Sequence, residues 1–275
     1  MGANEFVKHI KLVISDIDGT LVTGTGVISP ATRREITRIM AAGVHFGVAS
    51  GRPTPRVRDV LEGLGVTIPI ISSNGAIIED LATGEIVHSR HLEHVLARQA
   101  LAIIADYNIR CSFIDTAAGW CYWTGSRDLP DRLAWVVAEL EATRIEDLDR
   151  FFAGAPVVRK IVVAGDEREL ARLEATVASL DGVFVTSSWQ GNREILVAGA
   201  DKANAAKILA ARLEIDSEQV LAIGDHRNDL ELITWAGTGV AMGNAAPELK
   251  AVADWVTASN EEDGVAFALE RFVPR

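Results

Sequence analysis

The stretch SDIDGTL at residues 15–21 decides the fold, because it converts a buried strand into a polar turn. It follows the largely apolar run Ile10–Ile14, which is typical of a buried strand. Residues i and i+2 project from one face of an extended strand, so Asp16 and Asp18 are expected to reach one spot. Two like charges held together need a cation or a shared proton, as at a Mg²⁺ site or at a nucleophile beside an acid–base group. A turn that only closes the strand is the alternative for this pair alone.

Strand and helix signals then alternate in the order β-α-β-α-β. Ser29-Pro30 is typical of a helix N-cap and first turn, and Gly43 suits the residue that follows the helix. Pro69–Ser73 reads as the third strand, and Asn74-Gly75 as the turn after it. This order predicts an α/β fold with a doubly wound parallel, Rossmann-like sheet.

The pattern changes after about Leu81. Residues 82–197 contain two hairpin-like strand pairs among helices, which predicts an α+β module with a largely antiparallel sheet. The doubly wound pattern resumes with a helix that begins at Lys202. The chain is therefore expected to have a discontinuous α/β core at 1–81 and 198–275, with a second domain inserted at 82–197.

Composition limits the possible partners. The 275 residues include 48% hydrophobic and 24% charged residues, which is ordinary for a globular protein with a sizeable core. The net charge of −11 repels polyanions, so no nucleic-acid partner is expected. No apolar run approaches a membrane span, and two cysteines fit a reducing, cytoplasmic location without a disulfide framework. Nothing in the sequence indicates the oligomeric state.

Four polar residues stand directly at the ends of predicted parallel strands: Asp16, Ser50, Asn74 and Asp225. Ligands bind at this edge of open α/β sheets, so the four are expected to meet. Ser50-Gly51 can offer a hydroxyl and a backbone amide to an anion, and Asp225 can complete a Mg²⁺ site. A plain N-cap is the alternative for Ser50 and for Asp225.

Lys202 stands at a helix N-terminus, where a cation is unfavourable, which suggests an anionic neighbour; a solvated surface lysine is the alternative. His88, His91 and His94 are spaced by three, which does not keep one helix face, so no metal site is expected there. The chain has no Walker A, G-x-S-x-G or zinc spacing.

DIDGTL, VASGR, Lys202 and GDHRNDLELI, in this order, resemble the motifs of the haloacid dehalogenase (HAD) superfamily. SSNGAII and the ending AMGNAAPELKAVADWVTASNEEDGVAFALERF are similar to its Cof-type phosphatases, subclass IIB, which carry an inserted α/β cap. The resemblance covers nearly the whole chain except the inserted domain, where the architecture alone agrees. Ala203 and Ser50 depart from the usual Gly and Thr without removing a functional group.

The resemblance implies a role for each motif residue. Asp16 is the nucleophile that forms an aspartyl-phosphate, and Asp18 is the acid that protonates the leaving oxygen and then activates water. The implied metal ligands are Asp16 and Asp225 through their side chains and Asp18 through its backbone carbonyl. The implied phosphate-binding residues are Ile17, Ser50, Gly51, Lys202 and Asn228, and the supporting residues are Thr20, Asn74 and Asp229.

The expected function is Mg²⁺-dependent hydrolysis of a small phosphorylated metabolite, such as a sugar phosphate. A phosphomutase is the alternative enzyme, which would yield an isomerised sugar phosphate instead of free phosphate. A non-catalytic protein that binds a phosphometabolite is the alternative of another class, and the intact Asp16/Asp18 pair argues against it. Candidate specificity residues in the inserted domain are Trp123, Arg127, Trp189 and Arg193, and the candidate hinges lie near 81–84 and 198–200.

Overall fold

A computed structural model describes residues 9–109, 111–123, 137–138 and 140–275. Its contacts divide the chain into two compact units. One unit runs up to Ser89 and continues with Asp201–Arg275, and the other comprises Arg90–Ala200. The first boundary lies eight residues beyond the predicted 81 (89 − 81), because the strand that ends at Ser89 pairs within the first unit.

The elements follow in chain order. The first unit begins with β1 (Leu12–Ser15), α1 (Pro30–Ala41), β2 (His45–Val48), α2 (Thr54–Leu61), β3 (Ile70–Ser72), β4 (Ile77–Glu79) and β5 (Ile86–Ser89). The second unit has α3 (His94–Ala105), β6 (Ser112–Thr116), β7 (Gly119–Trp123), β8 (Thr143–Arg144), α4 (Leu148–Ala153), β9 (Val158–Ala164), α5 (Glu167–Val177), β10 (Val183–Thr186) and β11 (Asn192–Val197). The first unit resumes with α6 (Lys202–Arg212), β12 (Val220–Gly224), α7 (Leu230–Trp235), β13 (Thr238–Ala241), α8 (Pro247–Val252), β14 (Trp255–Val256) and α9 (Gly264–Phe272).

A parallel sheet organises the first unit. Its strand order is β14-β13-β12-β1-β2, and each neighbouring pair is parallel. A single parallel bridge between Ala49 and Ile71 brings β3 to the free side of β2, and β3-β4-β5 form an antiparallel meander. The fold class predicted from the alternating pattern is confirmed.

The register of β1 with its two neighbouring strands places the polar turns at one edge of the sheet. Ser15, the last residue of β1, lies between Ile223 on β12 and Val48 on β2. The chain segments that leave these three strands therefore emerge at the same edge of the sheet. All four residues of β1 are buried, so the strand that leads to this edge is fixed by packing in the core.

The second unit has a six-stranded sheet of order β10-β11-β9-β6-β7-β8, antiparallel except for the pair β7–β8. Its core joins strand residues such as Ile114 and Ile161 to Leu101 of α3 and Leu173 of α5. The short elements α4 and β8 were not predicted, because six and two residues are too few for a periodic signal. The sequence also predicts a helix over 130–142, a segment that falls largely outside the described residues.

The four candidate specificity residues have different environments. Arg193 is only 8% exposed at its side chain and forms ion pairs of 2.5 Å with both Glu167 and Glu174, so it stabilises the second unit. Trp123 packs against the core of that unit. Trp189 is 46% exposed. Arg127 lies outside the described residues.

Replacing Arg193 by Met is expected to lower the free energy of unfolding by about 2 kcal/mol, because it leaves the carboxylate of Glu174 part-buried without its cation. The matched control is Arg172→Met, since Arg172 is 71% exposed in its pair with Glu169 and such pairs contribute little. Urea unfolding of both variants measures the difference. Equal stabilities of the two variants would contradict the structural role of Arg193.

Among the described residues, no helix combines the length and the apolar character that crossing a membrane requires.

Candidate active site

The turn that follows β1 changes direction within a few residues. The Asp16 amide donates to the carbonyl of Ile223, 2.9 Å away, which extends the ladder to β12 by one more bond. Gly19 then adopts φ +73°, and a Cβ at this position would lie 2.4 Å from Oδ2 of Asp225. Glycine is therefore required here both for its backbone conformation and for the close approach of Asp225.

Three carboxylates meet at this edge of the sheet. One oxygen from each of Asp16, Asp225 and Asp229 lies within 4.8 Å of the others. Lys202 stands between two of them: its Nζ donates to Oδ1 of Asp16 at 2.7 Å and to Oδ1 of Asp229 at 2.6 Å. The Lys202 side chain is 0% exposed, so the surface-lysine alternative is wrong. Three carboxylates against one ammonium leave an excess of negative charge that favours a further cation.

The environment shifts the pKa values of Asp16, Asp225 and Lys202. Burial raises the pKa of Asp16 well above its ordinary value, and Lys202 opposes this shift. Burial, followed by repulsion from Asp229, raises the pKa of Asp225 to about 6. Burial disfavours the charge on Lys202, yet Asp16 and Asp229 raise the pKa of its ammonium above the ordinary value. Lys202 therefore stays charged, whereas Asp16 and Asp225 resist ionisation without additional positive charge.

The hydrogen bonds give the carboxylates different tasks. Asp229 is fully engaged, because its Oδ2 also accepts from the backbone amides of Asp225 and His226 at 3.0 and 3.1 Å. It thereby caps the turn that opens α7, so the alternative of Asp225 as the cap is wrong. Oδ1 of Asp225 accepts a hydrogen bond from the Thr20 hydroxyl at 2.9 Å. Its other carboxylate oxygen, Oδ2, points toward the turn at Gly19.

These donors fit Mg²⁺, which prefers hard oxygen ligands. Asp16 and Asp225 each have one oxygen held by a neighbour and a second oxygen that the described residues do not bond. Asp229 braces the pair through Lys202 and the backbone. Asp16 and Asp225 are therefore the side chains best suited to hold the ion.

Asp18 has different partners from Asp16. Its side chain is 58% exposed, and Arg52 donates to both carboxylate oxygens, from Nε at 2.8 Å and from Nη2 at 2.6 Å. The expectation that both side chains reach one spot is not met in their contacts, because β1 ends at Ser15 and both aspartates lie in the turn beyond the strand. Asp18 is thus bound by Arg52 and accessible to solvent, whereas Asp16 is bound by Lys202 in the buried cluster.

A second group of polar residues lies at the end of β2. Ser50 is fully buried, and its Oγ accepts from the amide of Arg52 at 3.1 Å. The amide of Asn74 donates to the Ser50 carbonyl at 2.9 Å, and Asn228 Nδ2 donates to Asn74 Oδ1 at 3.0 Å. This arrangement joins three of the predicted site residues in one network next to Gly51.

Comparisons with known proteins decide the family. A sequence profile of haloacid dehalogenase-like hydrolases matches residues 13–269. The chain belongs to this family. YkrA of Bacillus subtilis (strain 168) is 32% identical to the hydrolase over 262 residues, which cover 94% of this chain and 96% of YkrA.

Two further comparisons agree. YcsE of Bacillus subtilis (strain 168), a 5-amino-6-(5-phospho-D-ribitylamino)uracil phosphatase, is 30% identical over 269 residues, with 96% of each chain covered. The structure of the HAD subclass IIB sugar phosphatase BT4131 matches with a TM-score of 0.82 at 20% identity, covering 96% of this chain and 99% of that one, which supports the fold. The family and fold predicted from the motifs are confirmed, and this HAD hydrolase is a phosphatase.

The structure brings the predicted site residues of the hydrolase into two connected groups. The first comprises Asp16, Thr20, Lys202, Asp225 and Asp229. The second comprises Ser50, Asn74 and Asn228, with Gly51 against the Asn74 side chain and Ile17 fully buried beside Asp16.

Three polar residues near the site of the hydrolase were not predicted from the sequence. Arg52 holds Asp18, Asn244 Nδ2 donates to the Gly19 carbonyl at 2.8 Å, and Asn260 Nδ2 donates to the Val22 carbonyl at 2.9 Å. Arg52 and Asn244 lie inside the quoted motifs VASGR and AMGNA, where a polar side chain beside a strand-end turn was the available signal.

Metal-free hydrolase is expected to lose stability toward unfolding as the pH rises from about 5 to about 7. The folded pKa of Asp225, about 6, lies above its ordinary 3.8. Its contribution is therefore fully present below the unfolded pKa and is lost as the pH passes through the folded pKa. Urea midpoints in EDTA measure this trend, and Asp225→Asn should flatten it. A wild-type midpoint in EDTA that increases over this range would contradict the expectation.

Proposed function

We propose that this hydrolase is a Mg²⁺-dependent phosphatase of small phosphorylated metabolites and works through an aspartyl-phosphate intermediate. The observation that carries the proposal is the buried Lys202 ammonium, which bonds Asp16 and Asp229 beside Asp225. A nucleophilic carboxylate must approach a phosphate dianion against charge repulsion. A lysine and a cation beside that carboxylate would reduce the repulsion, and phosphoryl transfer depends on such positioning and charge neutralisation.

In the first step, a carboxylate oxygen of Asp16 attacks phosphorus, and the bond from phosphorus to the leaving oxygen breaks. Asp18 gives its proton to that oxygen, which departs as the alcohol. Lys202, the Ser50 hydroxyl and the backbone amide of Gly51 are the groups that would receive the phosphoryl oxygens. Bound Mg²⁺, held by Asp16, Asp225 and the carbonyl of Asp18, would supply positive charge against the transferring group.

In the second step, the Asp18 carboxylate removes a proton from water, and the water oxygen attacks phosphorus. The bond between phosphorus and Asp16 breaks, which releases phosphate and restores the Asp16 carboxylate. Arg52 orients the Asp18 carboxylate through two hydrogen bonds. Asp18 therefore serves as the acid in the first step and as the base in the second.

We further propose a sugar phosphate or a related polyol phosphate as the substrate. The support is the 30% identity to YcsE, whose substrate carries a 5-phospho-D-ribityl group. The inserted unit Arg90–Ala200 is proposed as the cap that selects the leaving group. The cytoplasmic location remains a prediction.

A panel of phosphorylated metabolites tests the proposal. Sugar, polyol, nucleoside and amino-acid phosphates are incubated with the protein in Mg²⁺ and in EDTA, and released phosphate is measured. Release from sugar or polyol phosphates in Mg²⁺ alone is expected. Tight binding without release would instead identify a binding protein, and isomerised sugar phosphate without free phosphate would identify a mutase.

A further inference from the structure

The turn after β3 has an unusual backbone. Ser73, Asn74 and Gly75 all adopt left-handed conformations, with φ of +48°, +56° and +94°. Non-glycine residues rarely adopt this region, because it strains the backbone, so the conformation persists only where the surroundings enforce it. Ser73 and Asn74 are 0% and 1% exposed, which places the conformation inside the core.

This turn is bonded to the chain that follows β2. The amide of Ser73 donates to the carbonyl of Arg52, and the amide of Asn74 donates to the carbonyl of Ser50, both at 2.9 Å. Because two consecutive amides are used, a change in the turn would shift Ser50 and Gly51 together.

The same turn packs against the start of α6. A Cβ on Gly75 would lie 2.2 Å from the carbonyl oxygen of Asp201, so the two backbones are in direct contact there. Asp201 immediately precedes Lys202 and caps its helix by accepting from the amide of Asn204 at 2.8 Å. The turn therefore sets the spacing between the end of β2 and the lysine helix.

The Asn74 side chain reaches a third element. Its Oδ1 accepts from Nδ2 of Asn228, which is 5% exposed in the turn before α7. Oδ1 of Asn228 is buried without a hydrogen-bond partner among the described residues. A buried polar atom without a partner costs free energy unless a ligand supplies the hydrogen bond. Asn74 therefore holds one end of the Asn228 carboxamide, and the other end, Oδ1, is available to a ligand.

We propose that Asn74 is a positioning residue that acts on phosphoryl transfer through Asn228. The inference rests on the proposed function and adds a role for the strained turn: it fixes Asn228 relative to Ser50 and Lys202. Asn is suited to this position, because it tolerates the left-handed conformation better than most residues and also carries the carboxamide.

The variant Asn74→Gly isolates the side chain, because glycine keeps the left-handed backbone without strain. The matched control is Glu214→Gly, since Glu214 has φ +55° and is exposed outside the site. The control relieves the same backbone strain, and its kcat/KM should equal that of the wild type. Thermal unfolding of each variant verifies that the fold is retained.

A double-mutant cycle measures the coupling between the two asparagines. With an aryl phosphate and Mg²⁺, Asn74→Gly should lower kcat/KM about tenfold in the wild-type background and less than about twofold in the Asn228→Ala background. Equal losses in the two backgrounds, or no loss in the wild-type background, would overturn the inference.

NMR spectroscopy detects the contact between Asn74 and Asn228 without requiring turnover. The side-chain amide signals of Asn228, assigned by their loss in Asn228→Ala, should shift in Asn74→Gly and stay in place in Glu214→Gly. Unshifted signals would overturn the inference. A wild-type protein without phosphate release would overturn the proposed function and the catalytic role of Asn74 with it, whereas turnover with an additive cycle would overturn the role of Asn74 alone.

Discussion

Replacing Asp16 by Asn is expected to reduce Mg²⁺-dependent phosphate release at least about a thousandfold, because an amide cannot form the aspartyl-phosphate. The fold should persist, since the amide oxygen can still accept from Lys202 and the ammonium keeps its bond to Asp229. Phosphate release from an aryl phosphate, measured beside thermal unfolding, separates the two effects. A variant that retained substantial turnover would exclude Asp16 as the nucleophile.

Asp18→Asn is the comparison that separates the two carboxylates. This variant keeps the proposed nucleophile but lacks the proposed base of the second step, so steady-state release should fall about a hundredfold or more. With an activated aryl phosphate, whose leaving group needs no proton, the first turnover should persist as a burst followed by slow release. Identical loss of the burst in both variants would show that the two residues do not have separate roles.

Replacing Lys202 by Met is expected to have the largest effect on stability. It would leave Asp16 and Asp229 buried together without their ammonium, and breaking a buried pair in this way costs about 3–5 kcal/mol. Activity should be lost as well, since the same ammonium bonds Asp16, the proposed nucleophile. Urea unfolding at neutral pH measures the loss, and Lys207→Met, on the exposed side of α6, is the matched control.

The pH dependence of the stability of the Lys202→Met variant tests whether the missing charge causes its loss of stability. Burial already raises the pKa of Asp16, and removal of the opposing Lys202 charge raises it further. A raised folded pKa contributes stability at low pH that is lost as the pH rises through it, so the variant should recover part of its deficit near pH 5. A deficit that is constant from about pH 5 to about pH 7 would show that charge is not its cause.

Local patterns predicted most of the first unit. The helix α1 follows the Ser29 cap, whose side chain accepts from the Thr32 amide, and the strand ends carry the polar residues as expected. The parallel order brings residue 16 to residue 225 by a rule of topology, so the sequence could place them at one edge. What it could not show is which atoms bond there.

The unpredicted features depend on long-range contacts. Arg52 meets Asp18 across the ends of two strands, and Asn244 meets Gly19 from more than two hundred positions away (244 − 19). The first unit extends to Ser89 because β5 pairs with β4, and no composition change marks that pairing. Side-chain direction and strand pairing are decided by tertiary packing, which one-dimensional periodicity does not contain.

The position of β1 has a consequence for the order of assembly. Leu12 pairs with Val220, a separation of 208 residues (220 − 12), so the middle of the parallel sheet closes a very long loop. Such pairings form slowly, because the ends of a long loop must be brought together, at a cost in entropy, before the contacts contribute stability. During synthesis, the turn at Asp16 emerges before its neighbours on β12 and α6, which appear only after the entire second unit. The sheet edge that carries Asp16 is therefore expected to be completed late, since a chain arrested before residue 220 lacks the strands β12, β13 and β14.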